Sequence, residues 1–99
     1  MTAGKMKVGI IGLGGVAQAH LQAFDLLPQT LELVTVCDVR PQVAADIGRQ
    51  YKALAYSDYN ELLRAGGIDL VMVLTPASTH REIVEASAAA GLQVFCEKP

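Results

Sequence analysis

The sequence has few cysteines and no long uninterrupted apolar run. Its two cysteines, Cys37 and Cys96, lie far apart and form no Cys-x-x-Cys pair, so neither a disulfide framework nor a zinc site is expected. We predict that both are small buried residues at strand ends, in a chain that works in the reducing cytoplasm. Because no uncharged apolar stretch reaches the roughly 18 residues that span a bilayer, no membrane partner is expected.

Charged side chains are also scarce and nearly balanced in sign. They make up 18% of the 99 residues and leave a net charge of −2. A slightly acidic chain lacks the excess of cations that grips a phosphate backbone, so nucleic acid is not expected as a partner. Hydrophobic residues make up 52%, an ordinary globular share that argues against disorder. The 99 residues can bury a modest core and are too few for two domains. We therefore interpret residues 1–99 as a single domain.

Short apolar runs alternate with stretches of helical periodicity, a pattern typical of parallel βαβ units. Strands are predicted at residues 7–11, 31–37, 53–56, 68–75 and 93–96, with helices over 15–27, 41–51, 58–64 and from Thr79 to just before Gly91. The order predicts an α/β fold, a doubly wound parallel (Rossmann) sheet of about five strands in the order 3-2-1-4-5.

Two of the predicted helices carry further local signals. In the first, helical spacing separates the apolar residues Val16, Ala19, Ala23 and Leu27, and a proline follows at the predicted helix end. The last helix is predicted to begin with a capping box, in which the Thr79 hydroxyl caps the helix and Glu82 reaches back.

A glycine-rich segment connects the first predicted strand to the first predicted helix. Residues 12–17, Gly-Leu-Gly-Gly-Val-Ala, fit the pattern Gly-x-Gly-x-x-Gly/Ala in the strand-to-helix context that this pattern requires. Gly12 permits a tight turn, Gly14 lets a pyrophosphate approach the backbone, and the helix N-terminus offers free N–H groups to phosphate. A turn without a ligand is the alternative. We predict that the cofactor-binding residues of this turn are Gly12, Leu13, Gly14, Gly15 and Val16.

An acidic residue, Asp38, ends the second predicted strand. A carboxylate there can accept hydrogen bonds from both hydroxyls of an adenosine ribose and repels a 2′-phosphate, which favours NAD. Arg40 keeps NADP or dual use open, because a guanidinium could pair with a 2′-phosphate, although we favour a solvated surface charge. We predict that Asp38, Val39 and Arg40 contact the cofactor.

Two more segments are predicted to reach the same crevice, because the carboxyl ends of parallel strands share one edge of the sheet. Thr75 and Pro76 follow the fourth predicted strand, and Glu97-Lys98-Pro99 follows the fifth. Pro76 could offer an apolar surface to a ribose or nicotinamide, or could simply end its strand. Thr75, Pro76, Glu97 and Lys98 therefore join the predicted cofactor-binding residues.

The segments GLGGVAQAH, CD, TPASTH and CEKP together resemble the Gfo/Idh/MocA family of oxidoreductases over essentially the whole chain. The resemblance implies that Lys98 is the catalytic residue that helps move the proton of the reacting hydroxyl, and that Glu97 contacts the cofactor or orients the lysine. His80 fits the family pattern Thr-Pro-x-x-x-His, either touching the cofactor or, as we favour, bracing the loop by a hydrogen bond. His20, two turns into the first helix, is interpreted as a packed or capping residue.

The resemblance implies hydride transfer between NAD, or NADP, and a sugar, cyclitol or related polyol. Family members continue into a second domain that supplies the substrate pocket, so we interpret the chain as truncated before it and expect no turnover by these 99 residues alone. Homo-oligomer formation is possible through exposed apolar surface. A non-catalytic dinucleotide-sensing regulatory module, or a domain for another nucleotide, remains the alternative.

Overall fold

The computed structural model describes residues 4–97, so the predicted catalytic residue Lys98 lies outside the described residues. Strands and helices alternate along the chain. Their bounds are β1 (Met6–Ile11), α1 (Gly15–Leu26), β2 (Leu31–Cys37), α2 (Pro41–Tyr51), β3 (Leu54–Tyr56), α3 (Tyr59–Ala65), β4 (Leu70–Val73), α4 (Ala77–Ala89) and β5 (Gln93–Cys96).

The five strands form one parallel sheet in the order β3-β2-β1-β4-β5, which confirms the predicted fold and strand order. Ile11 at the end of β1 pairs with Cys37 at the end of β2 and with Val73 at the end of β4. All carboxyl ends therefore meet at one edge of the sheet, with the end of β1 at its centre.

Helices cover both faces of the sheet, and each face has its own apolar cluster. One cluster joins Ala17 and Leu21 of α1 to Val8 and Ile10 of β1. The other joins helices α3 and α4 to Ile11 and to the buried positions of β4. A strand buried on both faces is apolar throughout, which is why β1 and β4 can be recognised from the sequence.

The prediction for β4 was too long at both ends. The strand spans Leu70–Val73 instead of residues 68–75, although Ile68 and Leu74 are each only 8% exposed. Their hydrophobicity reflects burial in the flanking loops, which the sequence pattern cannot separate from strand pairing. The remaining predicted ends agree with the structure to within one residue, except at the start of α4, which differs by two.

The predicted capping box of α4 is wrong. The helix begins at Ala77 after Pro76, and no side chain caps its N-terminus. The Thr79 hydroxyl instead donates to the Pro76 carbonyl oxygen, 2.8 Å away. Pro76 is the N-cap residue, with a φ of −56° and an extended ψ of 149°. Because the missing N–H of a proline costs nothing at a helix start, the helix begins directly after it, two residues earlier than the sequence predicts.

Two burial expectations are also corrected. The residues of α1 that face the sheet are Ala17, Leu21 and Phe24, whereas Val16 and Leu27, which mark its periodicity in the sequence, are half-exposed. Cys37 is buried as predicted, but Cys96 is exposed, because it lies on β5 at the edge of the sheet. Burial raises the pKa of the Cys37 thiol to about 11.

Within residues 4–97, no helix combines the length and the apolar character needed to cross a bilayer.

Gly48 in α2 is required by packing and not by backbone conformation. A Cβ there would lie 2.8 Å from the Ala53 carbonyl oxygen and 3.2 Å from the Ala55 Cβ.

Glycine-to-alanine changes inside helices usually stabilise a protein by about 0.5–1 kcal/mol. Here we expect Gly48→Ala to lower the free energy of unfolding by about 1–3 kcal/mol. Urea unfolding of the variant and the wild type measures this difference. The exposed Gln50→Ala on the same helix should change stability by less than about 0.5 kcal/mol, and a stabilised Gly48→Ala would contradict the packing.

Candidate functional site

A cleft of about 970 Å³ opens at the edge where the strands end, within the size range of small-molecule sites. The structure brings together almost all of the residues predicted from the sequence. Those that line the cleft are Gly12, Gly14, Gly15, Val16, Asp38, Val39, Arg40, Thr75, Pro76, His80 and Glu97. The side chain of Leu13 is buried in the core instead, so only its backbone belongs to the site.

The first glycine of the turn is required by the fold. Gly12 has a φ of +100°, and a Cβ there would lie 2.8 Å from both the carbonyl carbon of Leu74 and the amide nitrogen of Thr75. Its own N–H donates to the Cys37 carbonyl oxygen at 2.8 Å. The chain leaving β1 therefore passes directly against the chain leaving β4, where only glycine fits.

The next two glycines are not required by the fold. A Cβ on Gly14 or Gly15 would have no atom within 4 Å, so no side chain fills the space beside the turn. Helix α1 begins at Gly15 without a side-chain cap, which leaves its first N–H groups directed at that space. An uncapped helix N-terminus beside an open turn is the arrangement that receives a phosphate group.

Asp38 is the buried acceptor of the site, with only 6% of it exposed. Its Oδ2 accepts from the Leu13 N–H at 2.8 Å and from Arg40 Nη2 at 3.0 Å. Its Oδ1 accepts from the Arg40 N–H at 2.9 Å and from Arg40 Nε at 2.8 Å. These hydrogen bonds, above all those from the Arg40 side chain, lower the pKa of Asp38 to about 2 against the opposing effect of burial.

Four donors occupy the roughly four acceptor positions of the Asp38 carboxylate. A ribose hydroxyl that binds this carboxylate must therefore displace one of them. The Arg40 side chain is the donor that can leave, because 58% of it is exposed, whereas the Leu13 N–H belongs to the turn itself. The contact between Asp38 and a ribose stays a prediction, and the Arg40 side chain would compete with the ribose for the carboxylate.

The loop after β4 is braced by hydrogen bonds within it. His80 Nε2 donates to the Thr75 carbonyl oxygen, and the Thr79 hydroxyl lies 2.7 Å from that of Thr75. The imidazole of His80 thus makes the type of loop-bracing hydrogen bond that the sequence analysis favours. Pro76 and Ala77 complete this wall of the cleft.

Glu97 bounds the opposite end of the cleft from Asp38, and its carboxylate is bonded to α1. Its Oε2 lies 2.7 Å from Nε2 of His20, whose ring packs edge-on against Phe95 at a centroid distance of 5.5 Å. His20 is therefore packed, as expected from the sequence. Its bond to Glu97 joins residues 77 positions apart, for which the sequence contains no signal.

Sequence reasoning also missed a third wall of the cleft, formed by Ser57, Asp58 and Tyr59 after β3. Asp58 caps α3 by accepting from the Asn60 N–H at 2.9 Å, and burial together with the nearby Glu82 raises the pKa of Tyr59. The sequence could have indicated this wall, because residues 57–59 directly follow a predicted parallel strand and the carboxyl ends of such strands border the ligand crevice. Among residues 4–97, no three His, Cys, Asp or Glu side chains converge to hold a metal ion.

The ionised Asp38 should stabilise the fold. Its pKa falls from 3.8 to about 2 on folding, which corresponds to about 2 kcal/mol, fully present above about pH 5 and lost as the pH falls from 4 through 2. We expect the gap in unfolding free energy between the wild type and Asp38→Asn to be constant from pH 8 to 5 and to shrink below pH 4.

Urea unfolding at each pH measures this gap. Asp46→Asn is the matched control, because Asp46 pairs with Arg49 on the exposed surface of α2, where an ion pair contributes about 0–1 kcal/mol. A gap for Asp38→Asn that does not change between pH 5 and pH 2 would contradict the role of the ionised carboxylate.

Comparisons with known proteins identify the family and the fold. Residues 6–99 match the Gfo/Idh/MocA group, described as an oxidoreductase family with an NAD-binding Rossmann fold. Inositol 2-dehydrogenase of Pseudomonas fluorescens is 35% identical over 96 residues, which are 95% of this chain and 29% of that protein. Myo-inositol 2-dehydrogenase of Thermotoga maritima is 34% identical over 95 residues, again 95% of this chain but 28% of the relative.

Solved structures show the same fold. The dehydrogenase WlbA of Chromobacterium violaceum, in complex with NADH and UDP-GlcNAcA, matches with a TM-score of 0.94 and 26% identity over 100% of this chain and 29% of its own. Levoglucosan dehydrogenase in complex with NADH matches with a TM-score of 0.86 and 29% identity over 96% of this chain and 28% of its own. The chain thus spans about 29% of the length of its relatives. Because the family match covers residues 6–99, the chain belongs to the Gfo/Idh/MocA oxidoreductase family and has its NAD-binding Rossmann fold.

Proposed function

We propose that this chain binds NAD(H) in the cleft and is the cofactor-binding part of a dehydrogenase. That enzyme transfers a hydride between the nicotinamide and a sugar, cyclitol or related polyol. The observation that carries the proposal is the open turn, where Gly14 and Gly15 leave free space in front of the uncapped N-terminus of α1. The names of the relatives, inositol dehydrogenases above all, support the substrate class.

The strand order supports an assignment of the cofactor along the cleft. The turn after β1 would hold the pyrophosphate through the backbone of residues 12–16, and Asp38 after β2 would hold the adenosine ribose. Val39, which is 85% exposed beside it, would give the adenosine an apolar surface. The nicotinamide half would then extend to the other side of β1, toward Thr75, Pro76 and Glu97.

The chemistry requires a hydride carrier and a proton carrier. A bound nicotinamide supplies the carbon that accepts or donates the hydride. Lys98, by the family resemblance, would handle the proton of the reacting hydroxyl, since a cation beside a developing alkoxide stabilises its charge. Because substrate positioning provides much of an enzyme's acceleration, we expect these 99 residues to bind cofactor without turning over substrate.

The cysteines and the net charge of the chain bear on where it works and what it binds. Both cysteines are free thiols, which supports a reducing compartment such as the cytoplasm. The net charge of −2 supports small molecules, and not nucleic acid, as partners. Self-association stays a prediction.

A side chain on Gly14 tests the cofactor site directly. We expect Gly14→Val to lower NADH affinity at least about tenfold, because the side chain fills the space that the diphosphate needs, while the empty surroundings leave stability within about 0.5 kcal/mol of the wild type. NADH fluorescence titration and urea unfolding give the two readouts.

The matched control is Gly4→Val, which lies at the opposite end of β1 and also has no atom within 4 Å of a Cβ. It should leave both readouts unchanged. No NADH binding by the wild type, or equal affinity of the Gly14→Val variant, would overturn the proposal.

The competition for Asp38 predicts how Arg40 influences cofactor choice. We expect Arg40→Ala to raise NADH affinity several-fold, because the carboxylate is freed for the ribose hydroxyls, and to lower NADPH affinity by about tenfold, because a 2′-phosphate loses its cation and meets the bare carboxylate. Titrations with the two cofactors measure the ratio. Arg49→Ala, which removes an exposed arginine paired with Asp46, is the control, and an equal loss for both cofactors upon Arg40→Ala would contradict the competition.

A further inference from the structure

The bond between His20 and Glu97 connects the phosphate-binding helix to the far end of the cleft. His20 is the sixth residue of α1, the helix whose N-terminus faces the turn, and Glu97 directly follows β5. The two side chains are 23% and 40% exposed, and Nε2 of His20 lies 2.7 Å from Oε2 of Glu97. No part of the proposed phosphate or adenosine site uses this pair.

The pair has a defined geometry. Because carboxylate oxygens accept, the ring Nε2 of His20 is the donor. The ring is held edge-on against Phe95, and the Glu97 N–H donates to the Val73 carbonyl oxygen at 3.4 Å. Glu97 is thus fixed on two sides, through its backbone to β4 and through its side chain to α1.

The strand order places this anchor on the nicotinamide side. Asp38 follows β2, one strand to one side of the central turn, whereas Glu97 follows β5, two strands to the other side. With strands about 4.8 Å apart, Glu97 lies roughly 10 Å from the line of the turn. A dinucleotide whose adenosine end lies at Asp38 therefore directs its other half toward Glu97.

From these contacts we infer that His20 is a positioning residue for the nicotinamide half of the cofactor. Through its bond to the Glu97 carboxylate, it anchors Glu97 against α1 at the end of the cleft where that half would bind. The inference rests on the proposed NAD(H) site. Helix α1 would then do two things: its N-terminus would bind the phosphates, and its His20 would hold the wall of the cleft that faces the nicotinamide half.

Comparing NADH with ADP separates the two halves of the site, because ADP contains the adenosine and the diphosphate but no nicotinamide or second ribose. We expect His20→Phe, which keeps an aromatic ring against Phe95 but has no donor, to weaken NADH binding at least about fivefold and ADP binding less than twofold. His20→Gln restores a donor nitrogen and should recover most of the NADH affinity. Isothermal titration of the 99-residue chain measures both ligands.

A double-mutant cycle tests whether His20 acts through Glu97. Glu97→Ala should also weaken NADH binding and spare ADP binding, and adding His20→Phe should cause no further loss. The exposed Gln18→Ala on the same helix should change neither ligand. If His20→Phe does not fold, His20→Leu takes its place, because it also removes the donor: a selective loss of NADH affinity supports the inference, and unchanged NADH affinity overturns it.

Each alternative outcome has a distinct meaning. Equal losses for NADH and ADP in His20→Phe would show that His20 merely supports α1, which would overturn the inference and leave the NAD(H) site intact. Additive losses in the double variant would overturn the action through Glu97. A wild-type chain that binds neither ligand would refute the proposed function itself, and the inference with it.

Discussion

The hydrogen bond from the Leu13 N–H to the buried Asp38 carboxylate is the contact on which the site depends. It ties the turn after β1 to the end of β2 at 2.8 Å, so the backbone that faces the cleft has one fixed position. A buried carboxylate is costly unless its acceptors are satisfied, and here three donors of Arg40 complete its shell. The same group therefore orders the turn and lies where a ribose is expected.

The three glycines of the turn divide into one that the fold needs and two that it does not. Gly12 lies against the backbone of Leu74 and Thr75 at a positive φ, whereas a Cβ on Gly14 or Gly15 would meet nothing. Open space beside an exposed glycine is not itself a site, since Gly4 has it too; at Gly14 and Gly15 it lies in front of the uncapped N-terminus of α1, where a phosphate can bind. The glycine motif and the uncapped helix behind it together indicate the site, and the contacts show which of its glycines the fold itself requires.

Two of the four carboxylates that line the cleft, Asp38 and Glu97, are bonded to nitrogen donors of neighbouring side chains. Arg40 binds Asp38 and His20 binds Glu97, while the centre of the cleft offers the free N–H groups of α1. An anionic ligand therefore meets N–H donors at its middle, while at either end the cleft has a carboxylate that already accepts a hydrogen bond, from Arg40 at Asp38 and from His20 at Glu97. This distribution suits a long ligand whose negative charge lies at its centre.

The sequence by itself determined the α/β class, the five-strand order and the glycine turn with Asp38 beside it. The reason is that local apolar runs predict buried parallel strands, and glycine spacing predicts the strand-to-helix turn. Only the tertiary structure decided that Arg40 occupies the acceptors of Asp38, that His20 reaches Glu97 and that residues 57–59 complete the cleft. It also decided that Ile68 and Leu74 are buried loop residues and that α4 begins at Ala77, directly after Pro76. The physical reason is that hydrophobic periodicity records burial and local geometry, whereas contacts between side chains distant in sequence exist only once the sheet has brought the strand ends together.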